Sequence, residues 1–308
     1  MRVNYIKKEV HLLKRFNMKK IIILLLISVV FSCKSDPVLF ELTTSVNPLG
    51  SGTVSPDKGT VWLGDQIEFS AEANTGYSFV KWSGDLNDSL SKISLIIDSD
   101  KSIIAEFTEM TKIPDNIFEK YLIEIGVDDN IDGFVNTSKI KKITSLNLSE
   151  KGVNDLTGIE DFLSLKVLIA NDNLISKIDL SLNTELEILY LDNNSIKNLD
   201  LSTNTKLQKI SLNDNLISGI DLSLNTELEI LYLNNNSIKD LDLSTNTKLQ
   251  KIELNNNSIQ NLDLSLITNL VDFSSINNEM LCIKISTSQI ISSKNWFTDA
   301  AVIFDTIC

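Results

Sequence analysis

Few residues in this chain could do chemistry. Its 308 residues hold one histidine, His11, and three cysteines, Cys33, Cys282 and Cys308. Five aspartates, Asp179, Asp200, Asp221, Asp242 and Asp263, recur at intervals of 21. Carboxylate catalysis needs one special pair in a pocket, and equal spacing singles out no pair. Asp128, Asn130, Asp132 and Gly133 match the opening of a calcium loop, but Lys139 stands where the loop's closing bidentate acid belongs. That loss argues for a polar turn and for no metal site. No P-loop or dinucleotide glycine motif occurs. The expectation is a protein that is not an enzyme and carries no cofactor.

The histidine itself lies in a segment that leaves the mature chain. Residues 1–20 hold seven basic residues and one acid, and the apolar run Ile21–Phe31 follows. That order reads as a secretory signal, and the run is too short to span a membrane comfortably. Met18 opens a compact signal by itself. VFSC, ending at Cys33, resembles a bacterial lipoprotein cleavage site, which implies removal of residues 1–32 and lipidation of Cys33 before a short tether, 33–38. Seven of the 28 basic and one of the 41 acidic residues leave, so 21 face 40 and the net charge moves from -13 to -19. A chain without histidine has no Ser-His-Asp or Cys-His catalysis and no His-ligated metal. The acidity argues against nucleic acid, whose phosphates need excess Lys and Arg. Cys282 and Cys308 remain as an even pair in an oxidising compartment, and a disulfide between them is the simplest expectation.

The elements that must position any site are set by a repeat. From Leu165 the pattern L-x-x-L/I-x-L-x-x-N-x-I-x-x-L/I-D-L-S-x-x-T returns every 21 residues, at Leu186, Leu207, Leu228 and Leu249, with a partial copy at Leu270. A degenerate copy precedes these, with Ile143, Leu146, Leu148, Val153, Leu156, Ile159 and Phe162. One copy cannot bury its own apolar side and must stack on neighbours, which makes a solenoid. LSLNTE and LSTNTK close alternate copies, so a 42-residue unit was duplicated. Asn173, Asn194, Asn215, Asn236 and Asn257 fall where the chain turns, and an amide there can satisfy backbone groups opened by the bend. The pattern is that of leucine-rich repeat proteins. IPDNIFEKYLIEIGVDD, ITSLNLSEKGVNDLTGIEDF and NWFTDAAVIFDTIC resemble the N-terminal cap, first repeat and C-terminal cap of secreted and lipid-anchored repeat proteins of Bacteroidota. This resemblance implies a helical N-cap over 112–142, repeats over 143–275 and a C-terminal cap over 276–308. It also implies surface or extracellular recognition of proteins or glycans.

Residues 39–109 differ in kind. Six short β-branched runs (Phe40–Val46, Gly52–Ser55, Gln66–Ala71, Ser78–Trp82, Lys92–Ile97 and Ser102–Phe107) alternate with Gly, Pro and Asn turns, predicting a small all-β module with Phe79, Trp82 and Phe107 in its core. GSGTVSPDKG, GDQIEFSAEANTGYSFVKWSGD and KSIIAEF resemble the internalin B-type bacterial surface repeat. The fold class expected for the chain is therefore mixed: an all-β module followed by an α/β leucine-rich repeat solenoid with short parallel strands.

Period-two alternation places every second strand residue on the open, concave face. One row reads Val167, Ile188, Lys209, Ile230, Lys251, the next Ile169, Tyr190, Ser211, Tyr232, Glu253, and a third Asn171, Asp192, Asn213, Asn234, Asn255. Ile188 beside Tyr190, and Ile230 beside Tyr232, are amphipathic anchors of the kind interfaces use. The ligand-binding candidates are Ile188, Tyr190, Asp192, Lys209, Asn213, Ile230, Tyr232, Asn234, Lys251 and Glu253. The expectation is a monomeric outer-membrane lipoprotein of the cell envelope that binds a protein or glycan and touches the membrane only through its lipid. The rival readings are a structural or adhesive spacer and an accessory subunit of a glycan-uptake or secretion assembly.

Overall fold

The computed structural model describes residues 37–289 and 295–308; Cys33 and the signal segment lie outside them. The chain forms two compact units. One takes in the described residues up to Ala73 with Phe79–Glu106, the other Asn74–Ser78 with Phe107–Cys308.

The first unit is built from β1 (Leu39–Asn47), β2 (Gly52–Ser55), β3 (Lys58–Trp62), β4 (Gln66–Ala73), β5 (Tyr77–Gly84), β6 (Lys92–Ile96) and the start of β7 (Lys101–Lys112). One sheet runs β3-β1-β7-β5 and the other β2-β4-β6. Trp82 from β5 is fully buried, meets Phe69 of β4 with ring centroids 6.1 Å apart, and donates its indole N–H to the Leu90 carbonyl at 2.8 Å. The two sheets thus share one aromatic core, which the half-buried Phe79 joins against Trp82 at 5.4 Å; Phe107 is also buried but falls in the second unit.

In the second unit, α1 (Asn116–Glu124) begins where Asp115 caps it, its Oδ1 accepting from the amides of Ile117 and Phe118. The other oxygen accepts from Asn154 and Asp155, so one carboxylate ties the helix start to the first repeat. Phe118 and Leu122 are buried, and Phe118 stacks on Phe162 at 5.9 Å. The last residues of β7 pair antiparallel with β8 (Phe134–Asn136), and α2 (Thr137–Ile140) follows. Gly158 has φ +99°, and a Cβ there would lie 2.6 Å from the Lys112 carbonyl oxygen, so no larger residue fits that close approach.

Each repeat then contributes one three- or four-residue strand: β9 (Ser145–Asn147), β10 (Val167–Ile169), β11 (Ile188–Tyr190), β12 (Lys209–Ser211), β13 (Ile230–Tyr232) and β14 (Lys251–Glu253). After β15 (Asn261–Asp263) come β16 (Asp272–Ser275), β17 (Cys282–Lys284), β18 (Asn295–Thr298) and β19 (Ile303–Asp305). An all-parallel sheet runs β9-β10-β11-β12-β13-β14-β16-β18, and β15-β17-β19 form a second. The repeat leucines and isoleucines make one continuous buried stack between Ile113 and Ile285. Twenty-one residues leave room for a strand, two turns and a return segment but no full helix. The molecule is accordingly mostly β, and the described repeats after the 3-10 turn at Ile159–Asp161 carry no helix.

At the far end Phe273 meets Trp296 edge-on and Trp296 meets Phe304 at a tilt, each pair with ring centroids 5.5 Å apart. Cys282 and Cys308 form a disulfide with Cα atoms 5.8 Å apart. Closing that loop contributes on the order of 3 kcal/mol by chain entropy.

Candidate binding face

The repeat dictates the site by register. Ile188 pairs with Lys209, Lys209 with Ile230, and Ile230 with Lys251; alongside, Tyr190 pairs with Ser211, Ser211 with Tyr232, and Tyr232 with Glu253. Leu189, Ile210, Leu231 and Ile252 between them point into the core and are fully buried. The intervening residues therefore line the open face of the sheet. Ile188, Tyr190, Lys209, Ile230, Tyr232, Lys251 and Glu253 are all half-buried there, and Ser211 is 4% exposed.

Tyr190 and Tyr232 stand two strands apart, about 9.6 Å from two strand spacings. With the small Ser211 between them they bound a groove of about 350 Å³, which Asn171, Asp192, Asn213 and Glu253 also line. Burial pushes the Tyr190 phenol up from its ordinary value, reinforced by Tyr232 and by the Asp192 charge. Lys251 Nζ lies 5.1 Å from the centre of the Tyr232 ring and 3.0 Å from Glu253 Oε1. Hydrogen bonds to Glu253 and Tyr232 raise the Lys251 ammonium above its usual range. Glu253 Oε2 accepts from Asn234 Nδ2 at 3.0 Å, so both its oxygens are engaged.

The third row is bound into the scaffold more tightly than alternation alone implies. Asn171 Oδ1 accepts the Asp192 amide, Asp192 Oδ1 the Asn213 amide, Asn213 Oδ1 the Asn234 amide, and Asn234 Oδ1 the Asn255 amide, at 2.9, 2.7, 2.8 and 2.9 Å. Asp192, Asn213 and Asn234 thus hold successive coils together while edging the groove. Next to them Asp172, Asn193, Asp214, Asn235, Asn256 and Asn277 all have φ between 53° and 59°, a left-handed conformation that Asn and Asp tolerate best after Gly.

The turn asparagines lie inside. Asn173, Asn194, Asn215 and Asn257 are buried, and Asn236 is half-buried. Asn215 is representative: Nδ2 donates to the carbonyls of Leu191, Leu212 and Asn213 at 2.9, 3.3 and 3.1 Å, while Oδ1 accepts the Ile196 amide at 3.0 Å. A second ladder, Asn183, Asn204, Asn225 and Asn246, is fully buried at the opposite turn and was not singled out by sequence reasoning. Asn225 Nδ2 donates to the carbonyls of Leu201 and Asn204 at 3.1 and 3.0 Å. The signal for it was present: LSLNTE and LSTNTK differ at their third and last positions but share the Asn. The row ends at Ile267, after which Gln289 donates to the Leu264 and Ile267 carbonyls, both at 2.9 Å.

The aspartate row is structural in geometry. Asp179, Asp200, Asp221, Asp242 and Asp263 each accept the amide of the serine two residues on, at 2.9 Å. Those serines hold Asp179, Asp221 and Asp242 below their ordinary value. In the loop resembling a calcium site, Glu119 is fully buried and its Oε1 accepts the amides of Asp132, Gly133 and Phe134. Asp132 Oδ1 also takes the Phe134 amide, and Asn136 Oδ1 caps α2. Two oxygens of the loop motif therefore already bind backbone, and among the described residues no group of three acidic, histidine or cysteine side chains gathers to hold a metal.

Stacked coils, one parallel strand apiece and an asparagine-lined turn define a leucine-rich repeat solenoid, preceded by a β module. Residues 42–111 match the family model described as the divergent InlB B-repeat domain. No curated protein matches the chain. Among solved structures, an internalin (inlF) from Listeria monocytogenes is 23% identical with a TM-score of 0.47, over 62% of this chain and 71% of that one. Internalin C2 from the same organism is 20% identical with a TM-score of 0.45, over 64% of this chain and 98% of that one. A leucine-rich repeat protein of Leptospira interrogans is 20% identical with a TM-score of 0.37, over 46% of this chain and 45% of that one. The solenoid assignment rests on the strand register described above.

Proposed function

We propose that this protein is a non-enzymatic binding protein of the bacterial cell envelope that recognises a protein partner on the open face of its solenoid. The observation that carries this reading is the groove between Tyr190 and Tyr232, where two half-buried rings flank a polar floor on a rigid sheet. Tyrosine supplies wide amphipathic contact at small entropic cost, and solenoid open faces commonly serve as binding surfaces. A glycan partner is the rival occupant of the same face. The match of residues 42–111 to a repeat named for an internalin supports a place at the cell surface. On this reading Cys33 carries the lipid anchor of an outer-membrane lipoprotein and the protein is monomeric.

Photo-crosslinking tests the face directly. Benzoylphenylalanine replacing Tyr190 or Tyr232 is expected to crosslink a partner from envelope extract, while the same group at Leu224, which is 54% exposed outside the groove, is expected to give none. Equal products from all three positions contradict the proposal. The anchor is tested separately: palmitate labelling of the wild type and its loss in Cys33→Ala are expected, and labelling that survives the substitution contradicts lipidation at Cys33.

A further inference from the structure

We infer that the slot between Tyr190 and Tyr232 takes the guanidinium of an arginine side chain presented by the partner. This rests on the reading of the open face as a protein-binding surface and assigns the chemistry of its central contact.

The duplication shows how the slot arises. Tyr190 and Tyr232 are equivalent residues of the 42-residue unit, as are Lys209 and Lys251, Ser211 and Glu253, and Asp192 and Asn234. Around Tyr232 the face is self-satisfied. Lys251 lies over the ring and pairs with Glu253, whose second oxygen accepts from Asn234. Around Tyr190 the same positions are altered. Glu is replaced by the short Ser211, which opens the space between the rings, and the carboxylate moves one row over to Asp192. Ser211 Oγ donates to Asp192 Oδ1 at 2.6 Å and accepts from Asn213 Nδ2 at 3.1 Å, so the serine has no donor left. Asp192 Oδ1 accepts twice, from Ser211 and from the Asn213 amide, whereas Oδ2 accepts no hydrogen bond from any described residue. The slot therefore offers two aromatic walls and one unspent anionic oxygen.

A planar, donor-rich cation fits that set. Guanidinium stacks on aromatic faces and donates to carboxylate from one plane, while the lysine ammonium is compact and strongly hydrated. Lys251 over Tyr232 shows within this molecule that a cation seats on these rings. The chain's net charge of -13 attracts a basic partner. Lys209, on the same strand as Ser211, is a nearby positive charge that opposes the ligand, and this gives the inference a signed test.

The probe is N-acetyl-arginine amide, titrated into the full-chain protein with ring-labelled tyrosine and followed by NMR. The expected result is saturable movement of the Tyr190 and Tyr232 ring signals, at least tenfold weaker for the citrulline analogue, which keeps the shape without the charge. Asp192→Asn is expected to weaken arginine at least tenfold, and Lys209→Ala to strengthen it. Asp192→Asn should fold, because Asn171, Asn213 and Asn234 make the same inter-coil bond from equivalent positions. Equal binding of arginine and citrulline amides overturns the inference. So does movement of the same rings by chitotetraose alone, which would mark a glycan slot. Crosslinking from Tyr190 and Tyr232 without arginine binding rejects the arginine assignment and leaves the protein-binding face standing; failure of both rejects both.

Discussion

At the scale of single residues, the solenoid is held by amides as much as by leucines. Each turn asparagine satisfies backbone groups of two coils that the bend would leave unpaired in a dry interior. Asn215→Ala strands the Ile196 amide, while the Leu191 carbonyl keeps its second donor, Asn194 Nδ2. A buried unpaired group costs about 1–3 kcal/mol, so the expected loss is on the order of 2 kcal/mol in denaturant unfolding. Asn193→Gly is the control. Its φ of 53° suits glycine and its side chain is exposed, so a change within about 0.5 kcal/mol is expected. Equal losses for the two variants would contradict the division between an inner, structural Asn row and an outer, conformational one.

At the scale of elements, the 21-residue period made the strands, the register and the open face legible from the chain alone. The start of α1 has its mark in the sequence too, because Pro114-Asp115 has the cap chemistry that the structure displays. Strand β3 was not legible. Its KGTVW has one glycine and no clear alternation, and Trp62 on it is 46% exposed. The second asparagine ladder was less legible because its Asn sits in a segment whose neighbouring residues vary between alternate copies. That variation has its own cause: Glu185 meets Lys206 at 2.5 Å and Glu227 meets Lys248 at 2.6 Å, so the alternating copies form ion-paired doublets. These pairs are exposed and contribute little energy each. The double use of Asp192, Asn213 and Asn234 as groove lining and inter-coil staples was also hidden, since alternation gives direction and not partners.

At the scale of the whole molecule, the excess of acid becomes a pH dependence with a definite sign. Burial alone would raise the Asp115 carboxyl, but the amides of Asn154, Phe118, Asp155 and Ile117 together hold it below 3.8. Side-chain and backbone donation from Ser202 likewise lowers Asp200, and Asp179, Asp221 and Asp242 are lowered by their own serines. A depressed folded-state value means stability that is fully present above the unfolded value and is lost as pH falls through the folded one. Tm is therefore expected to hold near neutrality and to fall once pH drops below about 4. Asp115→Asn, which keeps two accepting contacts and loses the carboxylate oxygen that accepts the Asn154 and Asp155 amides, is expected to lower Tm at pH 7 and flatten the acid limb. A limb unchanged by that substitution would remove Asp115 from the account.

The recognition claim depends on the two tyrosines, and their joint removal tests it most directly. The measurement is binding of envelope-derived protein to the Tyr190→Ser, Tyr232→Ser double variant, beside a Tm showing that the fold persists. The half-buried rings stand on the open face, above a core of leucine and isoleucine that neither substitution touches. The account predicts at least a tenfold loss of affinity with Tm little changed. Full binding by a folded double variant would contradict it.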